Sequence, residues 1–374
     1  MPAPRLEVDL EKIYHNAREL VTRLARRGIS VTGVTKATLG SAEIANTLLR
    51  AGVNSLGDSR IENIEAMRNA MVPASMTVIR SPMLSQVERV VMQADLSLNT
   101  EIEVIRKLSL AAQKAHRTHG VLLMVELGDL REGLMPVDLI DTVRETLGLP
   151  NVVFEGIGTN LACRSGVSPD AGNMAELSML ADSIESTLDQ PVNMVSGGNS
   201  ANLSWALSGV DTGRINDLRL GESILLGRET LHRQPIEGLY TDAITLIAEV
   251  IESKVKPSQP TGKIAQTAFG EVPPVTDRGP IVQSILAIGI VDIDPCGLQA
   301  PVKSRILGAS SDHLIVESSG HYHQVGSEIA FQLNYSALVR AMTSPFVIKV
   351  MKSQDGVPRA CAEATSNYSG IRSA

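Results

Sequence analysis

Between residues 10 and 230 the chain alternates, eight times over, a short apolar run with a helical stretch. The strand-like runs are Val31–Thr35, Ser55–Leu56, Thr77–Ile79, Leu96–Leu98, Val121–Val125, Val152–Gly156, Val192–Val195 and Leu218–Leu220. A strand buried on both faces reads as such a run, and parallel strands are usually buried on both faces. The helical stretches begin where Leu10, Ile13, Ala17, Leu20, Val21 and Leu24 recur at helical spacing behind a candidate N-cap, Asp9. Others cover Ser41–Ala51, Arg60–Ala70, Ser85–Ala94, Glu101–Ala115, Val137–Leu147, Asn173–Thr187 and Ser200–Ser208. Eight strand–helix units in this length predict an α/β fold, a TIM-like (β/α)8 barrel. An open doubly wound sheet is the alternative, but no G-x-G-x-x-G follows the first run.

Beyond Pro235 the texture changes. Ala243–Ile251, Pro280–Val291, Lys303–Leu307, His313–Val316 and Glu328–Gln332 are short and β-rich, with Pro257, Pro260, Gly262, Pro273 and Pro274 marking long loops. Residues 1–235 are therefore expected to form the barrel, and 236–374 a second, mainly antiparallel β domain. The tail Ser353–Ala374 is polar and is expected to be partly disordered or to cover a neighbour.

The net charge of −7, with scattered basic residues, argues against nucleic acid as a partner. No run reaches membrane-spanning length and the N-terminus lacks an apolar signal core. Cys163, Cys296 and Cys361 lie far apart with no metal-ligand spacing, which suits a reducing cytoplasm. A soluble cytoplasmic enzyme is expected.

Four segments carry candidate chemistry. Lys36 ends the first strand run, where a barrel places its active-site groups, and a desolvated lysine there is a nucleophile or Schiff-base former. A surface lysine after an edge strand is the plainer reading. Ser196-Gly197-Gly198-Asn199-Ser200 follows the seventh run and opens a helix, so its backbone N–H groups and the Ser200 hydroxyl suit an anion; an ordinary strand-to-helix turn is the alternative. In Asp217–Gly227, Arg219 alternates with apolar neighbours and should point inward toward a planar or anionic partner, or else pair with Glu222 or Asp217. Glu126–Leu134 delivers acidic and basic groups to the same mouth, unless it is merely a solvated loop. Together they suggest a phosphorylated aromatic cofactor: aldehyde on Lys36, phosphate on the last two loops, ring nitrogen at Arg219. That is the logic of pyridoxal 5′-phosphate held in a barrel.

With these motifs the chain resembles the alanine racemase superfamily, the fold-type III pyridoxal phosphate enzymes, and within it the alanine/ornithine/lysine racemase branch. The resemblance rests on Thr35-Lys36-Ala37-Thr38, Gly57-Asp58-Ser59-Arg60-Ile61-Glu62-Asn63, Gly128–Gly133, Ser196–Ser200 and Arg219-Leu220-Gly221. Gly308–His313 and Asn334-Tyr335 extend it into the second domain. It implies that Lys36 binds the cofactor aldehyde and Arg131 its phenolic oxygen. Asn160 stands where a histidine usually packs at the ring. Asn199, Ser200, Gly221 and Ile224 fall in the phosphate-binding motifs, Arg219 faces the pyridine nitrogen, and Tyr335 lies near the phosphate.

The implied activity is racemisation of a free amino acid, preferably basic, in a homodimer. Lys36 would move the α-proton on one face, and Glu126, Asp129, Glu132 or Asp58 would meet the distal amine. Two positions depart from the pattern. Phe269 stands where the family's second catalytic base, a tyrosine, is expected, and Leu39 or Gly40 replaces a phosphate-binding tyrosine. Asp312 and His313 are the candidates for the missing base, with Tyr335 behind them, although His313 could also cap a strand or fill an interface. The competing readings are a non-catalytic cofactor-supply protein, which would resemble the barrel alone, and a metal-dependent lyase, for which His321 and His323 form the tight histidine pair. No metal site is expected.

Overall fold

The computed structural model describes residues 2–270, 275–318, 320, 322–353 and 359–360. His321, Pro273, Pro274, Cys361 and most of the tail from Ser353 lie outside the described residues.

Eight parallel strands close into a barrel: β2 (Ser30–Val34), β3 (Ser55–Asp58), β4 (Met76–Val78), β5 (Leu96–Asn99), β6 (His119–Met124), β7 (Val152–Gly158), β8 (Met194–Ser196) and β9 (Asp217–Leu220), preceded in the chain by β1 (Arg5–Asp9). Closure is made by β2, which pairs with β3 (Val34 opposite Gly57) and with β9 (Val31 opposite Leu218). The helices are α1 (Leu10–Ala25), α2 (Ala42–Arg50), α3 (Ile61–Asn69), α4 (Val87–Gln93), α5 (Ile102–Lys114), α6 (Leu139–Leu147), α7 (Ala171–Leu188), α8 (Leu203–Leu207) and α9 (Glu222–Leu226).

Local chemistry explains these boundaries. In α1, Ile13, Ala17, Leu20 and Leu24 form one buried stripe. Ser41 caps α2, and Asp170 with Asn173 makes a capping box at the start of α7. The strands form few alternating patterns because their residues are buried on both faces. Gly156 is obligatory where β7 crosses β8: its φ is +149° and a Cβ would lie 1.9 Å from the Met194 carbonyl oxygen. The same stretch carries a register shift between Val121 and Leu122 on β6.

The second unit is a nine-stranded sheet whose main path runs β13-β14-β11-β10-β1-β16-β17. It contains β10 (Ile244–Pro257), β11 (Pro280–Leu286), β12 (Leu298–Gln299), β13 (Ser304–Ala309), β14 (Leu314–Ser318), β15 (Glu328–Leu333), β16 (Ile348–Lys352) and β17 (Arg359–Ala360). β1 pairs parallel with β16, while β10 with β11 and β15, β14 with β11 and β13, β12 with β15, and β16 with β17 pair antiparallel.

A single cut after residue 235 does not describe the units. One comprises residues 1–9, 245–333 and 343–374; the other comprises Leu10–Ile244 and Asn334–Met342. The cause is long-range pairing. β1 joins the sheet through β16, with Leu6 opposite Lys349, while most of helix α10 (Tyr335–Thr343) belongs with the barrel. Asp9, the candidate N-cap, is the last residue of β1 and directly precedes α1.

Candidate active site

The carboxyl ends of the barrel strands open onto a cavity of about 470 Å³, lined by residues of the barrel unit alone. That volume lies within the ordinary range for small-ligand sites. Val34, Ile79, Leu98 and Met124 give it an apolar floor. Leu98 and Met124 belong to the barrel's inner cluster with Leu122.

Lys36 begins a short 3-10 turn two residues beyond β2 and lines this cavity. Thr35 fixes the turn by donating its Oγ1 hydrogen to Asp58 at 2.8 Å, and Thr38 Oγ1 donates to the Thr35 carbonyl at 3.0 Å. Gly40 must be glycine: φ is +67° and a Cβ would meet the Asn63 carbonyl oxygen at 2.6 Å. Lys36 reaches solvent through the cavity mouth, yet protein surrounds its ammonium and burial pushes its pKa below that of free lysine. Cys163 and Asp58 oppose that shift, and the positive charges of Arg131 and Arg219 reinforce it.

Arg219, on β9, is buried and does point inward. Its guanidinium donates to the Thr159 carbonyl at 2.6 Å and to Ser196 Oγ. Ser196 in turn donates to Asp217, whose other oxygen accepts from Thr32 Oγ1 at 2.8 Å. Burial pushes the Asp217 carboxyl up, against the pull of Ser196 and Arg219. Glu222 is not the partner of Arg219; it pairs with Arg233, and both line the cavity.

Ser200 and Gly221 meet at one end of the cavity. The Ser200 and Ser223 hydroxyls lie 3.0 Å apart, and Ser223 N–H donates to Ser200 Oγ at 3.2 Å. Gly221 packs against Val34, where a Cβ would stand 3.1 Å from the Val34 carbonyl oxygen. Asn199 lines the cavity, but its amide is committed to the loop after β7, donating to Leu161 O at 2.8 Å and Asn160 Oδ1 at 3.1 Å. Ile224 is buried in the barrel unit and is not among the lining residues; its carbonyl accepts from Asn16 at 2.9 Å. Arg131 and Tyr335 both line the cavity. Burial pushes the Tyr335 phenol up to about 12.

The expected acidic wall is largely consumed by the fold. Glu126 accepts the backbone N–H groups of Gly128, Leu130 and Arg131. Asp129 is buried and accepts those of Cys163, Arg164 and Ser165. Asp58 is buried and accepts from Thr35, Arg60 N–H and Asn63. Glu132 does face the cavity, bonded to Arg131 at 2.6 Å. Glu222, Arg80, Arg233 and Cys163 are lining residues that sequence reasoning did not assign to the site.

Asp312 and His313 belong to the second unit, exposed in the β13–β14 turn, where Ser310 N–H donates to the His313 carbonyl at 2.8 Å. Phe269 is an exposed loop residue of that unit, its N–H donating to Thr267 Oγ1 at 3.1 Å. Leu39 and Gly40 are absent from the cavity lining. Among the described residues no three His, Cys, Asp or Glu side chains are grouped to hold a metal, and no helix is long and apolar enough to cross a membrane.

A closed (β/α)8 barrel whose cavity gathers Lys36 with Arg131 and Arg219 is the fold and site of a barrel enzyme. The chain belongs to the alanine racemase family: the alanine racemase N-terminal domain matches residues 8–228. It is 37% identical to an ornithine racemase of Acetoanaerobium sticklandii, over 92% of this chain and 99% of that one. It is equally 37% identical to a lysine racemase of Thermotoga maritima, over 94% and 99%. An alanine racemase structure from Clostridium difficile 630 shares the fold with a TM-score of 0.72, at 18% identity over 96% of this chain and 99% of that one.

Proposed function

We propose that this protein is a pyridoxal 5′-phosphate-dependent racemase of a free basic amino acid of the ornithine and lysine kind, working as a homodimer. The observation that carries the proposal is the convergence of Lys36, Arg131, Ser200, Arg219 and Tyr335 on one cavity. Similarity to the two basic-amino-acid racemases along nearly the whole chain supports the substrate class.

The donor set suits that cofactor. Lys36 offers an amine to the aldehyde, and Arg131, Arg219 and the Ser200 hydroxyl line the same cavity. Arginines and hydroxyls match a dianionic phosphate and a phenolate. Bound there, pyridoxal phosphate would supply an aldehyde for amines and a conjugated ring that spreads the charge left at Cα.

The chain's own groups do the rest. Lys36, with its basicity lowered, reaches its neutral, nucleophilic form closer to neutral pH than a free lysine does. Its Nζ anchors the cofactor and, once released, takes a proton from the substrate Cα. Arg219 donates hydrogen bonds without surrendering a proton, so it orients a ring nitrogen and leaves it unprotonated. An electron sink of that kind is weak, which favours prompt return of the proton over decarboxylation or transamination. Glu132 and Glu222 are the carboxylates placed to meet a distal ammonium.

The test is spectroscopic and chromatographic. Purified protein should carry a visible cofactor band that borohydride fixes covalently to Lys36, and Lys36→Ala should carry no such adduct. Sedimentation should give a dimer; an active monomer would remove that part of the proposal.

A further inference from the structure

Racemisation requires a proton to leave one face of Cα and another to arrive on the opposite face. Lys36 can serve one face, and the cavity must supply the other group. Guanidinium groups keep their protons. Glu132 is paired with Arg131 and Glu222 with Arg233, so each carboxylate is already engaged by a neighbouring guanidinium. Burial pushes the Tyr335 phenol up to about 12, so near neutrality it offers no phenolate to take the α-proton in the reverse direction. Of the titratable side chains lining the cavity, that leaves one.

We infer that the Cys163 thiol is the second proton carrier of this site, acting on the face of the substrate Cα that Lys36 does not serve. The inference rests on the racemase reading above. Cys163 lines the cavity, with its Sγ 3.5 Å from Asn199 Nδ2. Lys36, Arg219 and Tyr335 line the same cavity as Cys163.

The surrounding loop is built to hold that sulfur in place. Asp129, from the loop after β6, accepts the N–H groups of Cys163 at 3.2 Å, Arg164 at 2.9 Å and Ser165 at 3.1 Å. Ser165 Oγ donates back to the Asp129 carbonyl at 2.7 Å, and Arg164 donates to Leu130 O at 2.7 Å. The residue before the thiol, Ala162, adopts a left-handed φ of +56°, a conformation a non-glycine side chain disfavours.

The proton balance closes without an oxidant or reductant. In one direction the Lys36 Nζ lone pair takes the α-proton and the Cys163 S–H proton passes to the other face of Cα, leaving an ammonium and a thiolate. In the reverse direction the thiolate takes the proton and the ammonium returns one. Between turnovers in the same sense, cavity water carries the extra proton from Lys36 to Cys163.

The experiment uses the full-length, cofactor-loaded protein with Cys163→Ala and Cys163→Ser, assayed in D2O with each enantiomer of ornithine. Racemisation should fall roughly 10²–10⁴-fold in both variants. One enantiomer should still exchange its α-proton for deuterium with retention of configuration, through Lys36 alone. A merely structural role would slow exchange of both enantiomers together. A readout independent of turnover is iodoacetamide alkylation, followed by mass spectrometry with Cys296, exposed like Cys163, as internal control. Loading the protein with cofactor and ornithine should protect Cys163, which lines the cavity, and leave Cys296 as reactive as before. The inference is overturned by variants that racemise within about tenfold of wild type, by equal loss of exchange for both enantiomers, or by a Cys163 that the loaded cavity does not protect. A wild-type protein that racemises nothing would sink the function proposed above, a distinct result from an active Cys163→Ala.

Discussion

Replacing Arg219 by methionine keeps most of the side-chain volume but removes the guanidinium from the barrel interior. Three losses follow: the 2.6 Å bond to the Thr159 carbonyl, the bond to Ser196, and the positive charge facing buried Asp217. Breaking a buried charged network from one side costs about 3–5 kcal/mol, because the partner is left uncompensated. Asp217 can limit that cost by protonating, since burial already raises its pKa. Asp217→Asn in the same chain removes the stranded charge, so the double variant should be more stable than the sum of the two single losses predicts. A coupling energy of about 2 kcal/mol is expected for groups in one network. Urea unfolding of the four proteins without cofactor, followed by far-ultraviolet circular dichroism, measures the cycle. An Arg219→Met cost below about 1 kcal/mol, or additive single effects, would show that Arg219 and Asp217 are not one electrostatic unit.

Other expectations use different groups. Arg131→Gln removes a positive neighbour that depresses Lys36, so the pH midpoint for cofactor capture, read from the visible band, should rise; an unchanged or lower midpoint would contradict it. His119 is buried and held neutral, its pKa pushed down to about 4 chiefly by burial, with Nε2 2.8 Å from Ser97 Oγ. The unfolded chain then binds the extra proton first as pH falls from 6.5 toward 4, so stability present above that window should drop by about 3 kcal/mol across it. His119→Asn should flatten that part of the profile in denaturant titrations; a variant with the wild-type slope would assign it elsewhere. Asp129→Asn keeps one acceptor oxygen where three N–H groups converge, and should cost about 2–3 kcal/mol. It should also quicken alkylation of Cys163, and an unaltered alkylation rate would refute the clamp.

The barrel was legible because its strands are short runs buried on both faces and its helices keep a single apolar stripe. All eight strand positions expected between Val31 and Leu220 overlap observed strands. Strand β1 escaped notice because its partner, β16, lies at the other end of the chain and five residues carry little periodicity. Helix α10 was hidden by the β-rich texture around it, although Asn334 supplied a readable cap, its Oδ1 accepting the Ala337 N–H at 2.9 Å. Lys36, Ser200, Arg219 and Gly221 could be placed because they sit at strand ends, where chain order alone brings residues to the barrel mouth. Cys163 could not, since its position depends on Asp129 from the preceding loop. Glu126 and Asp129 were assigned to substrate on their charge, but backbone N–H groups had a prior claim on them. Sequence shows that a carboxylate is present; it does not show which donors the folded loop will offer it.

In the proposed reaction Lys36, at the end of the first barrel strand, drives interconversion of enantiomers. Chiral chromatography of L-ornithine and L-lysine incubated with the cofactor-loaded protein, run beside Lys36→Ala, tests this without intermediaries. Both enantiomers should approach equal amounts with total amino acid conserved, and none of this should occur with Lys36→Ala. Loss of amino acid to an amine or aldehyde, or interconversion that survives in Lys36→Ala, would contradict it.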